Sequence, residues 1–156
     1  MPSSTPPPRG TATARARPLL VCAMALLLVA CATAPSQEMS DARRAVDAAA
    51  LARAGSLAPD AMSKASAALD RASAALRAGD YDAAREMART ARDEAISARM
   101  LANAMTLAEN GIAAARAQGR PWKGAQRVLD ESMRVSREGE SARALQMAER
   151  ALALTR

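Results

Sequence analysis

Apolar side chains along this chain follow two patterns. Over residues 18–30 they are contiguous and uninterrupted by charge, behind a stretch carrying Arg9, Arg15 and Arg17. From Ser40 onward they recur three and four positions apart, the period of a helix with one buried face. That spacing predicts a first helix over 40–54, with Ser40 as N-cap and Gly55 as its stop. A second is predicted over 59–78, opened by Pro59 and closed by Gly79, with the stripe Met62, Ala65, Leu69, Ala72 and Leu76. Those steps of three and four describe a coiled-coil seam built of small residues, which lets a partner helix approach closely.

The third predicted helix follows Gly79, with Asp80, Asp82 and Glu86 where a helix N-terminus favours negative charge. Ala84, Met87, Ala91, Ala98, Leu101, Met105, Ala108 and Ile112 form its stripe. If it continues through Asn110-Gly111 to Ala117 it is roughly 55 Å long, but Asn-Gly is also a helix-stop signal, so a break there is equally expected. A fourth helix is expected over 121–139 and a fifth over 141–154. The expected fold class is all-α: elongated antiparallel helical hairpins, or a bundle of four to five helices. Composition agrees, since from Cys31 onward there are 37 alanines, no phenylalanine, one tyrosine and one tryptophan, which favours helix and disfavours strand.

Shifting the chain by sixty residues without a gap superposes Leu69-Asp70 on Leu129-Asp130, Arg77 on Arg137 and Gly79 on Gly139. It also superposes Ala84 on Ala144, Met87-Ala88 on Met147-Ala148 and Ala91 on Ala151, so two copies of one helical hairpin are expected, over about 60–95 and 120–156. The turn Gly79-Asp80-Tyr81-Asp82-Ala83-Ala84, with Ala88 and Ala91, resembles the second helix of a tetratricopeptide repeat. Gly139, Ala144, Ala148 and Ala151 match the same positions, while Ser141 replaces the tyrosine. A period of sixty rather than thirty-four sets the chain apart from that family.

Leu28-Val29-Ala30-Cys31 closes the apolar run, and it resembles the bacterial lipobox at all four positions. A positive leader, a short apolar segment and small residues before the cut mark a secretory signal. Thirteen apolar residues are too few to span a bilayer, which takes about 20 in a helix. The resemblance implies recognition of Leu28, Val29 and Ala30 by the lipoprotein signal peptidase, with diacylglycerol and then an N-acyl chain on Cys31. Several acyl chains anchor stably where one would bind marginally. Ala32 is not the aspartate that retains lipoproteins at the inner membrane of enteric bacteria, so an outer-membrane anchor facing the periplasm is expected. The implied organisation is a signal peptide over 1–30, a lipidated cysteine and flexible tether over 31–38, and a helical domain over 39–156.

Removing the leader changes the charge. Three of the 22 basic residues precede Cys31 and all 16 acids follow it, so the formal charge falls from +6 to about +3. Nucleic acid is not expected as a partner of an exported chain. With Cys22 in the leader and Cys31 carrying lipid, no thiol is left for a disulfide, and helix packing must supply the stability.

The residues from Ser36 to about Ala102 carry a further resemblance. Met39-Ser40-Asp41-Ala42, Ala45-Val46, Ala49, Leu57-Ala58-Pro59, Ala65, Leu69, Ala72, Gly79-Asp80-Tyr81, Ala84-Arg85, Ala88 and Ala91 are similar to a family of short Ala-rich bacterial envelope lipoproteins known as a domain of unknown function. The resemblance implies a helical domain, in some members followed by an OmpA-like peptidoglycan-binding domain. No such domain is expected here, since the sequence ends at Arg156.

Enzymatic chemistry is not expected. The chain has no histidine, no free cysteine once lipidated, no Gly-rich phosphate loop and no nucleophile elbow. Asp80 with Asp82, and Asp93 with Glu94 beside Arg89 and Arg92, are better explained as helix-dipole and surface-pair residues than as acid–base or metal groups. No cofactor is expected beyond the acyl groups on Cys31.

One stretch suggests binding. Over 110–129 the only charged residues are Arg116, Arg120, Lys123 and Arg127, all basic, with Trp122 among them. An exposed tryptophan beside cations could dock on an anionic headgroup, a glycan strand or an acidic partner, whereas a tryptophan covering a helix pair would be structural. Tyr81, opening the long helix, is read as structural. The expected function is a structural or adaptor lipoprotein with an envelope protein partner, or alternatively a peptidoglycan- or lipopolysaccharide-binding module using the Trp122 region. Self-association through an uncovered small-residue seam is a further expectation.

Overall fold

The computed structural model describes residues 34–156. Among the described residues there are six helices: α1 Ser36–Leu51, α2 Ala54–Leu57, α3 Pro59–Arg77, α4 Tyr81–Ala117, α5 Lys123–Arg137 and α6 Ser141–Ala153. The fold is all-α, a helical bundle organised around α4.

Local chemistry explains most of the boundaries. Asp80 caps α4, its Oδ1 accepting from the Ala83 amide at 3.1 Å. Gly79, Gly119 and Gly139 end α3, α4 and α5 in the left-handed region, with φ of 78°, 68° and 88°. In each case the amide after the glycine reaches back five residues: Asp80 N to Ala75 O at 3.0 Å, Arg120 N to Ala115 O at 2.9 Å, and Glu140 N to Val135 O at 3.3 Å. These are one C-terminal motif used three times, satisfying carbonyls that the last turn leaves unpaired. The turns at Gly79 and Gly139 therefore repeat in geometry at the sixty-residue offset.

Within one compact unit, the long helix α4 passes through two core regions. It packs against α1, α3, α5 and α6. Along α4, Ala84, Ala88, Ala91, Ala95, Ala98, Ala102 and Met105 are buried in alternating steps of four and three, the seam of a coiled coil. The first region is Met39, Ala42, Ala68, Ala72, Ala88 and Ala91. The second holds larger groups, Leu57, Leu101, Met105, Ile112, Leu129 and Val135, and draws alanines from every helix, Ala49, Ala54, Ala61, Ala95, Ala125 and Ala148 among them. α1 runs parallel to α4, since Glu38 pairs with Arg85 at 3.2 Å near one end and Arg53 with Glu109 at 3.5 Å toward the other.

Several boundaries differ from the expected ones. The first helix starts at Ser36, where the Pro35 carbonyl accepts from Met39 N at 3.0 Å, so Ser40 lies inside the helix and is not its cap. Pro35 is itself buried, so the segment expected to be a tether up to residue 38 is already folded at Pro35. Gly55 is not the stop. The chain turns at Arg53, a non-glycine residue in the left-handed region at φ 65°, and thereby buries Ala54 and Leu57. α5 starts at Lys123 rather than Pro121, with Trp122 at the N-cap. α3 turns Ala61, Ala65, Ala68 and Ala72 fully inward, leaving Met62, Leu69 and Leu76 half-buried at the flanks.

α4 continues through Asn110-Gly111. Gly111 serves close approach instead of a stop: a Cβ there would lie 2.5 Å from Thr155 Oγ1 and 3.3 Å from Leu152 Cδ1. Two polar side chains also belong to the core. Ser132 Oγ donates to Ala144 O at 2.6 Å, joining α5 to α6, and Ser136 Oγ donates to Leu57 O at 3.0 Å, tying α5 to α2.

Candidate functional site

The basic stretch around Trp122 is the turn joining α4 to α5. Trp122 is half-buried against the second core region, with the Arg116 guanidinium 5.1 Å from its ring centroid. That is cation–π distance, and it ties the last turn of α4 to the start of α5. Beside the pair lies a cleft of about 590 Å³ between the two helices, lined among others by Glu109, Ile112, Arg116, Gln126, Leu129 and Met133. Trp122, Gln126, Leu129 and Met133 recur every three or four residues and so share one face of α5. Their spacing was available in the sequence, but their common cleft with Glu109 and Ile112 depends on the α4 crossing.

The remaining cations do not join this surface. Arg120 reaches the other way, its Nη1 donating to Thr155 O at 2.7 Å and Arg156 O at 3.2 Å while Nε donates to Gln118 Oε1 at 2.9 Å. It holds the C-terminal residues beyond α6, where a positive charge suits the helix dipole. Arg127 borders a separate groove between α5 and α6 with Val128, Met147, Arg150 and Leu154. Lys123 is exposed at the first position of α5, which has neither an acid in its first turn nor a side-chain cap. Cations contiguous in sequence are thus distributed over three faces. Arg116 and Trp122 remain as a basic aromatic edge, while Arg120 is a structural clamp.

The acids once conceivable as chemical groups have local partners. Asp80 caps α4, Asp82 pairs with Arg85 at 2.9 Å, and Asp93 pairs with Arg92 at 2.9 Å. Perturbed ionisation occurs at surface pairs. A hydrogen bond from Arg44, helped by Gln37, holds the Asp41 carboxyl below its ordinary value, and Arg134 does the same for Glu131. Asp60, 2.7 Å from Lys64 Nζ, raises the lysine. Such shifts come from ion pairing at helix spacing and do not mark a catalytic cleft. Among the described residues, no group of three or more His, Cys, Asp or Glu could hold a metal ion, and no helix is long and apolar enough to cross a membrane.

Leu28, Val29, Ala30, Cys31 and Ala32 lie outside the described residues. Tyr81 is half-buried at the first position of α4, beside the Gly79 turn. No family model, curated protein or solved structure matches the chain, which leaves its own residues as the ground for a function.

Proposed function

We propose that this chain is a non-enzymatic lipoprotein of the bacterial envelope, anchored through acyl groups on Cys31 at the periplasmic face of the outer membrane, and that its helical domain serves as a structural or adaptor element. The observation that carries the reading is Leu28-Val29-Ala30-Cys31 at the end of a thirteen-residue apolar run behind three arginines. The architecture supports it: a long helix shared along the whole bundle suits a spacer. The partner is another envelope protein.

In-cell crosslinking followed by mass spectrometry of the captured species tests this, with Cys31→Ala as the mislocalised control. Specific protein adducts lost in the control are the expected result. Adducts to glycan or lipopolysaccharide alone would replace the adaptor role with polymer binding. That second reading is favoured by one observation, the Arg116–Trp122 edge beside an open cleft.

A further inference from the structure

The start of α1 fixes which end of the domain an anchor would hold. The folded helices start close in sequence to the acylation position: Ser36 N donates to Ala34 O at 2.7 Å, Pro35 is fully buried, and α1 runs from Ser36. Cys31 precedes Ala34 by three residues. Even fully extended, that leash reaches only about 11 Å, at roughly 3.5 Å per residue. The first turn of α1 is in turn fastened to α4, because Glu38 lies 3.2 Å from Arg85 Nε and 3.6 Å from Arg89 Nη2.

Because α1 is parallel to α4, the same end of the bundle carries the Gly79 turn, and Arg116 with Trp122 lies at the opposite end of α4. From Arg85 to Arg116 the helix is unbroken, a separation of about 46 Å at 1.5 Å per residue. A leash much shorter than this strut, joined to a helix that is itself pinned to the strut, keeps the Gly79 end beside the bilayer and leaves the opposite end free to extend from it.

Resting on the lipoprotein reading above, we infer that the Gly79 turn is the membrane-proximal end of the domain and the Arg116–Trp122 edge its far end, reaching tens of ångströms from the headgroups. The basic edge is then the end presented to partners across the periplasm. α4 is the element that sets the distance.

The test uses the full chain, processed and acylated in bacteria and reconstituted in vesicles bearing headgroup-attached energy acceptors. A donor dye is placed at Ala78→Cys or Lys123→Cys, both exposed positions, and the mass of the amino-terminal peptide is measured on the same preparation. Strong transfer from position 78 and several-fold weaker transfer from position 123 is expected. Inserting a ten-residue Gly/Ser linker between Ala34 and Pro35 should abolish most of the difference. An acylated protein with equal transfer from both sites would mean that the domain lies flat, overturning this inference while leaving the lipoprotein reading intact. An unacylated amino terminus would overturn both.

Discussion

The two core regions along α4, here called the first and second unit, are filled differently. In the first, five of the six core side chains are alanines, with Met39 as the exception. In the second, Leu101, Met105, Ile112, Leu129 and Val135 fill the space between helices. Burying a methyl group contributes on the order of 0.8 kcal/mol and a leucine about 1.5–3 kcal/mol, so the second unit supplies most of the apolar stabilisation. Alanine offers close approach instead, and the coiled-coil steps along α4 keep its small residues facing their partners. The first unit is thus specified by fit and sustained by a helix whose other half is anchored in a larger core. Opening should therefore begin at α1 and the Gly79 turn, the end proposed to face the membrane, while the Trp122 end keeps its structure.

Substitutions can break this comparison. Leu129→Ala, at a fully buried position, should lower the unfolding free energy by about 2–5 kcal/mol in chemical denaturation, because the leucine leaves a cavity among helices already fixed by α4. Ala88→Leu tests the other unit and should cost about 1–3 kcal/mol by overpacking. A leucine accommodated there without loss would show that the first unit is loosely packed and not closely fitted.

Glycines sharpen the picture further. Gly111→Ala should destabilise by about 1 kcal/mol or more, seen as faster amide exchange in the last turn of α6, because its Cβ would press on Thr155 Oγ1. Gly55→Ala should instead gain about 0.5–1 kcal/mol, since Gly55 is helical and a Cβ there meets nothing within 4 Å.

The smallest expected effect is electrostatic, with one contributor in each unit. Asp41 on α1 and Glu131 on α5 have carboxyl pKa values held below the ordinary 3.8 and 4.5 by arginine partners. A depressed carboxyl contributes stability above its unfolded-state value and loses it as pH falls through the folded one. The contribution should therefore be present at neutral pH and disappear below those ordinary values. Asp41→Asn and Glu131→Gln should flatten the acid limb slightly in a thermal-melt series, with high salt reducing the difference because both pairs are exposed.

Much of this architecture was legible because glycine and aspartate act locally. Gly79 and Gly139 mark turns through their backbone freedom, Asp80 caps through its own carboxylate, and the three-four spacing on α4 exposes its buried face. What was not legible depends on residues distant in sequence. Gly111 carries the same stop signal as Gly139, yet it lies mid-helix because Thr155 crosses there. Arg53 has no chemical preference for a left-handed conformation, and burial of Ala54 and Leu57 accompanies that turn. Ser132 and Ser136 resemble surface residues until Ala144 O and Leu57 O come within hydrogen-bond distance. The basic stretch is spread over several faces for a geometric reason: residues five apart on a helix point roughly 140° away from each other, so Trp122 and Arg127 line different grooves.

The most direct test of the central claim is the mass of the amino-terminal peptide from protein isolated out of bacterial outer membranes. The account predicts a chain beginning at Cys31 with diacylglyceryl and N-acyl groups attached, and a Cys31→Ala form that is absent from that membrane. A free Cys31 thiol, or a chain still carrying residues 1–30, would contradict it.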